Sequence, residues 1–315
     1  MPGMLAAIGR PGGLEAVRIV RIVAVLALVG WAVATPGFFS KTSILALLTT
    51  VSFIGCVAVG MTFITLSGNI MSFSLGVTLS AGTIVFVGML PLGLLPAIAI
   101  TLVFGALVSG LQGWVIGYFR ANPVIVSMAA MALITGLTTW LTGGRGVYPE
   151  GTEADVLKGQ VGPVPGPVAA LLLLAFAGQF VLSCTRLGRQ VYLVGSNPRA
   201  ARAVGIEPWR TVVFAYVAAG VFTAVSAVLI AARYSSGDMQ HGIGYDYHAI
   251  SAVLLGGTAI QGGRGSVVHT LAGAFLLATV QGLLLLHGFS TQMQYLLTGG
   301  LVLGAIMLQY RGGTR

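Results

Sequence analysis

The sequence predicts an all-α fold, a polytopic membrane bundle of about ten transmembrane helices with broken or re-entrant segments. Three observations predict it. Of the 315 residues, 56% are hydrophobic and only 7% charged, whereas soluble domains carry about 25% charged residues. The apolar residues fall into runs of about 17–25, the length that crosses a bilayer as a helix. The 46 glycines would weaken helices in water, but small residues let membrane helices approach closely. Gly113–Gly117 and Gly300–Gly304 have that small-xxx-small spacing.

In chain order, spans are expected near 19–35, 44–66, 73–90, 95–117, 124–142, 167–184, 211–232, 247–262, 266–287 and 290–310. Arg10, Arg18 and Arg21 precede the first, and Ala32-Val33-Ala34 resembles a signal-peptidase site. An uncleaved first helix is the preferred reading, because further spans follow at once. Residues 1–315 read as a single transmembrane domain, with a short N-terminal segment (1–18) and a long loop (185–210).

Orientation follows from Lys and Arg, which are enriched in cytoplasmic segments. With the N-terminus in the cytoplasm, the inner segments hold Arg10, Arg18, Arg21, Arg120, Arg186, Arg189, Arg199, Arg202, Arg210, Arg264, Arg311 and Arg315. The outer segments keep Lys41, Arg145, Lys158 and Arg233, with the acids Glu150, Glu153, Asp155, Asp238 and Asp246. Both termini are therefore expected inside. The outer loop 143–166 is acidic and rich in Gly and Pro; the inner loop 185–210 carries five Arg and one acid, Glu207.

The net charge of +9 does not point to nucleic acid, because the charges sit in short joints rather than on a basic helix. Cys56 and Cys184 lie in apolar runs and read as buried filler, not as a disulfide or metal pair. There is no Gly-x4-Gly-Lys-Ser/Thr phosphate loop, no cluster with metal spacing and no nucleophile–base pair. No cofactor, metal or catalytic residue is expected, so any ATP hydrolysis belongs to a separate subunit.

Within 185–210, the run Asn197-Pro198-Arg199-Ala200-Ala201-Arg202-Ala203-Val204-Gly205 reads as a capped helix. Asn197 suits the N-cap, Pro198 the first helical position and Gly205 the left-handed terminus. Such a helix could dock into a partner, or could simply turn the chain.

Two stretches could line a solute path, because broken helices free backbone groups at membrane depth. One is Ser67-Gly68-Asn69-Ile70-Met71-Ser72-Phe73-Ser74; the other is Gly256-Gly257-Thr258-Ala259-Ile260-Gln261-Gly262-Gly263. Ser67, Asn69, Met71, Ser72, Ser74, Thr258 and Gln261 are the candidate contacts. Hydroxyls and amides both donate and accept, which suits a neutral polyol. Ordinary glycine-rich turns would account for the same residues. Asp246 and His248 fall at an outer helix end, where solvation explains them; His269 and His287 read as interfacial.

From about residue 45 the chain resembles the permease subunits of ribose-type ABC importers for simple sugars. The matching residues are Thr-Arg-Leu-Gly-Arg-Gln-Val-Tyr (185–192), Gly-Ser-Asn-Pro-Arg-Ala-Ala-Arg-Ala-Val-Gly-Ile (195–206) and Gly-Tyr-Asp (244–246). Ala-Ile-Ser-Ala-Val-Leu-Leu-Gly-Gly-Thr (249–258) and Gly-Gly-Arg-Gly-Ser (262–266) complete the most specific part. Gly60-Met61-Thr62, Asn122-Pro123 and Leu141-Thr142-Gly143-Gly144-Arg145 also fit. The resemblance implies that Asn197, Pro198, Arg199, Ala201, Arg202 and Gly205 form a helix that couples to cytoplasmic ABC ATPase subunits. It further implies a periplasmic solute-binding protein at the outer loops near 143–166 and 233–247. A second permease protomer would complete a homodimer or heterodimer in the lipid of a bacterial inner membrane.

The chain departs from the family at Met71 and His248, where acids are usual. The solute is therefore open, and so is a partner permease that supplies more of the lining. A permease for branched-chain amino acids or nucleosides is one alternative. A proton-coupled secondary transporter, with Arg233, Asp238 and the histidines as a relay, is another. An intramembrane enzyme is the last, and no catalytic constellation supports it.

Overall fold

A computed structural model describes residues 28, 30–149, 151, 154, 157, 159–161 and 164–312. The expected charges Arg10, Arg18, Arg21, Glu150, Glu153, Asp155, Lys158 and Arg315 lie outside these residues, as does most of the expected span 19–35. Helix α1 is described at 30–34. Next come α2 (Lys41–Leu66), α3 (Leu75–Met89, prolonged by a 3-10 turn at Leu90–Leu92), α4 (Leu94–Phe119) and α5 (Pro123–Thr142). A two-residue antiparallel ladder, β1 (Gln160–Val161) and β2 (Val164–Pro165), precedes α6 (Gly166–Cys184). Then follow α7 (Arg186–Ser196), α8 (Pro198–Ala203), α9 (Pro208–Tyr234), a 3-10 turn (Met239–Gly242) and α10 (Tyr245–Leu255). The last helices are α11 (Val267–Leu286) and α12 (Thr291–Gly312).

The described residues are helical apart from joints and the short ladder, as expected, but the count of spans is lower. Seven described helices are long and apolar enough to cross a membrane: α2, α3 with its 3-10 turn, α4, α5, α6, α9 and α11. The expected span 247–262 is instead the 11-residue helix α10 followed by a turn. At 1.5 Å per residue that helix is roughly 16 Å long, about half a bilayer core. The cause is packing: a Cβ on Gly256 would meet Thr270 Cα at 2.9 Å, so α10 stops against the start of α11. Helix α12 forms where a span is expected, with side chains described only in part.

The chain forms two compact units, residues 48–277 and residues 1–47 with 278–315. In the latter, the rings of Trp31 and His287 sit 5.5 Å apart. In the former, α4 and α9 pack through glycine. A Cβ on Gly113 would meet Tyr216 Cβ at 2.6 Å, and one on Gly117 would meet the Trp209 carbonyl at 2.9 Å. The Gly113–Gly117 stripe is thus a real helix contact, whereas Gly300 and Gly304 face nothing within 4 Å among the described residues. Buried hydroxyls join further helices: Ser226 donates to the Phe53 carbonyl at 3.0 Å, and the Thr62 and Thr270 hydroxyls pair at 2.8 Å. Helix α5 buries only Ser127 and is apolar all round, the pattern of a lipid-facing helix.

In the loop 143–166, Val147 exchanges backbone hydrogen bonds of 2.8 and 2.7 Å with Gly237. Two further expectations change. The loop 185–210 holds two helices, α7 and α8, rather than one. Cys56 is buried as expected, but Cys184 ends α6 exposed.

Candidate functional site

The capped helix forms as its residues dictate. Asn197 is extended (φ −158°), and its side-chain oxygen accepts from Arg199 N–H at 3.0 Å and Ala200 N–H at 3.1 Å. Pro198 starts α8, and Gly205 takes φ +80°. Ala201 is buried, while Arg199 and Arg202 stay exposed. Helix α7, which the capping pattern did not reveal, starts at Thr185, whose hydroxyl oxygen accepts from Gly188 N–H at 3.1 Å. Gly188, Val191, Val194 and Gly195 form its buried face. That 3.6-residue spacing was legible in the sequence.

The first broken segment leaves α2 at Leu66. The Ser67 hydroxyl donates to the Ile64 carbonyl (2.7 Å), and the Asn69 amide donates to Ser67 Oγ (2.9 Å). Ser72 and Ser74 are fully buried, with their hydroxyls 3.0 Å apart. Ser74 donates onward to Gln112 Oε1 of α4 at 2.6 Å. Met71 is buried. Gln112 was missed because a lone glutamine in an apolar span gives no local signal.

The second broken segment is built of glycine. Gly257, Gly262 and Gly263 have φ of +82°, +87° and +69°. Ala259 N–H donates to the Arg264 carbonyl at 2.9 Å, closing the turn. Thr258 is fully buried, and its hydroxyl has no hydrogen-bond partner among the described residues; Gln261 is exposed.

The two segments are tied directly to each other at one end, and a second tie joins α3 to α10. At the arginine-rich end, Gly263 N–H donates to the Leu66 carbonyl at 3.1 Å, and a Cβ on Gly262 would meet Gly68 Cα at 2.5 Å. Gly195, near the end of α7, is wedged into the same place: a Cβ there would collide with the Leu66 carbonyl and meet Gly263 N at 2.7 Å. The Tyr192 hydroxyl donates to the Gly265 carbonyl at 2.8 Å. Burial raises the Tyr192 phenol above its usual pKa.

At the opposite end, Gly76 N–H donates to Asp246 Oδ1 at 2.7 Å. Asp246 is buried, so the expectation of simple solvation is wrong: its carboxylate holds the start of α3, where free N–H groups favour an anion. His248 is partly buried. The 3-10 turn beside Asp246 is pinned by Ser80, whose hydroxyl donates to the Met239 carbonyl and accepts from Gly242 N–H, both at 2.9 Å. In that turn His241 stacks on Tyr234 (5.1 Å between centroids) with Nε2 2.9 Å from Ser236 Oγ. Burial lowers its pKa, against the opposing pull of Asp238. Asp238 itself accepts from Gln240 N–H at 2.8 Å.

A cavity of about 400 Å³ opens at the arginine-rich end. Its walls include Ser67 and Asn69 from the first broken segment, and Pro198 and Arg202 from α8. Arg120 and Trp209, at the neighbouring ends of α4 and α9, also line it. Two groups of residues singled out separately in the sequence thus share one cavity of a size that suits a small ligand. Met71, Ser72, Ser74, Thr258 and Gln261 are not among its lining residues.

Residues 43–306 match the family described as branched-chain amino acid transport system / permease component. The ribose import permease of Bacillus subtilis (strain 168) is 33% identical over 281 residues, 88% of this chain and 87% of that protein. The ribose import permease of Escherichia coli (strain K12) is 30% identical over 301 residues, 94% and 93% of the two chains. The L-arabinose ABC transporter permease of Azospirillum brasilense is 31% identical over 290 residues, 89% and 84% of the two chains. With apolar helices throughout and a match over most of its length, this chain belongs to that family of transport permeases.

Proposed function

We propose that the chain is the membrane-spanning subunit of an ATP-driven importer that moves a simple sugar or related polar solute across the bacterial inner membrane. One observation carries the reading: the first broken segment and the arginine-bearing helix α8 open on one cavity, in a permease about 30% identical to ribose and arabinose permeases. Ser67, Asn69, Met71, Ser72, Ser74, Thr258 and Gln261 serve the solute path. Asn197, Pro198, Arg199, Ala201, Arg202 and Gly205 engage ATPase subunits, which hydrolyse ATP on their own chains. Both termini and the 185–210 loop face the cytoplasm, and residues 1–315 act as one permease domain. The loops 143–166 and 233–247, already joined at Val147 and Gly237, receive a solute-binding protein. A second permease protomer completes the path.

The family description favours a second reading, a branched-chain amino acid permease. A zwitterion wants both a cation and an anion beside it. The cavity offers Arg120 and Arg202 but no carboxylate among its lining residues, which favours the sugar.

The test is uptake in proteoliposomes that hold the chain with its ATPase and binding protein. ATP-dependent uptake of labelled ribose or arabinose is expected. Saturable leucine uptake would move the assignment to the second reading. Uptake by the chain alone under a proton gradient would overturn the ATP-driven one. The triple substitution Arg199→Glu, Ala201→Glu and Arg202→Glu is expected to abolish ATPase co-purification while the chain still inserts.

A further inference from the structure

We propose that Gly195 and Tyr192, at the end of α7, are positioning residues that make the inner ends of both broken segments move as one with α8. The inference rests on the permease reading above. Only Asn197 separates α7 from α8, so a push on α8 reaches α7 with almost no slack. Gly195 then has nowhere to go. It lies against the joint itself, where Leu66, Gly68 and the Gly262–Gly263 turn meet. Ser196 packs against the same turn, since a Cβ on Gly263 would meet Ser196 Cα at 2.8 Å.

Packed backbone is nearly incompressible, so a displacement at one point is passed on rather than absorbed. Contact alone transmits a push; the hydrogen bond from Tyr192 to the Gly265 carbonyl also transmits a pull. Gly263 N–H to the Leu66 carbonyl keeps the two segments in register while they move. The junction therefore converts motion of one short helix into simultaneous displacement of both segments, rather than of one after the other. The close approach needs glycine at 195 because any side chain would occupy the space of the Leu66 carbonyl.

The experiment uses the whole complex in proteoliposomes and measures labelled ribose imported per ATP hydrolysed, with ATPase co-purification as the assembly control. Tyr192→Phe is expected to assemble normally and to import about fivefold less sugar per ATP, the scale of one lost hydrogen bond. Gly195→Ala is expected to lower the ratio further. A merely structural role would reduce assembled complex and leave the ratio unchanged, and an unchanged ratio in Tyr192→Phe overturns the proposal. That variant decides the matter even where Gly195→Ala does not assemble. A wild-type complex that imports nothing with ATP would instead sink the permease reading, and this inference with it.

Discussion

The two broken segments reach one junction by opposite means. The first, residues 67–74, is held by side chains, with Ser67, Asn69, Ser72, Ser74 and Gln112 satisfying one another. The second, residues 256–263, is held by its backbone, with glycines in conformations that other residues resist. Hydroxyls can rotate and exchange partners, whereas a left-handed glycine turn has one shape. Under the permease reading, the first segment is the adaptable one, able to trade internal bonds for a polyol. The second is a fixed corner that carries α11 and leaves room for Gly195.

Substitutions in each segment, and a pH series, test that contrast. Gly263→Ala should have the largest effect. It combines a left-handed residue (φ +69°) with a Cβ 2.8 Å from Ser196 backbone atoms, and the expected loss is above roughly 3 kcal/mol. Gly257→Ala has a similar φ (+82°) but nothing within 4 Å, so it should lose only about 1–2 kcal/mol. Thermal midpoints of the two purified variants in detergent would compare them, and equal midpoints would show that packing at the junction is unimportant.

Gln112→Leu comes next, in the first segment. It strips the Ser74 hydroxyl of its acceptor in a buried site, yet Ser72 remains 3.0 Å away as a substitute. A loss of about 1–2 kcal/mol is expected. A loss as large as that of Gly263→Ala would break the distinction between an adaptable and a rigid segment.

The smallest effect concerns pH at the 3-10 turn beside Asp246. His241 has its pKa lowered below the ordinary 6.5, chiefly by burial. The unfolded chain therefore takes up the proton first as pH falls. The contribution of neutral His241 to stability is complete above 6.5 and is lost as pH drops through its folded value. Comparison with His241→Gln isolates this contribution: the unmodified chain should lose more of its thermal midpoint on going below 6.5 than the variant does. Equal losses would show that the stack on Tyr234 tolerates the charge.

Much of this was legible in local sequence. Six of the expected spans fall on helices that are long and apolar enough to cross, α2 to α6 and α9, and a seventh on α11, because each needs only its own run of apolar residues. Helix α8 was legible because the atoms that cap it belong to Asn197 and its immediate neighbours. The region 247–262 was misread as a full span because the mild residues Gly256-Gly257-Thr258 scarcely raise its average polarity. What stops α10 is the approach of α11, a contact outside any hydropathy window. Asp246 was misjudged for the same reason, since its partner Gly76 is 170 residues away in sequence.

The sequence by itself determined that this chain is a helical membrane protein with a capped, arginine-bearing helix and two interrupted segments. Composition, periodicity and capping are properties of neighbouring residues, so they survive without knowledge of the fold. Only the tertiary structure decided that the interrupted segments are tied directly to each other. It alone packed Gly195 against their joint and turned Asp246 from a solvated acid into the anchor of α3. Those contacts join residues far apart in the chain, and the absence of a side chain, which is what glycine contributes, acquires meaning only when another backbone occupies the space.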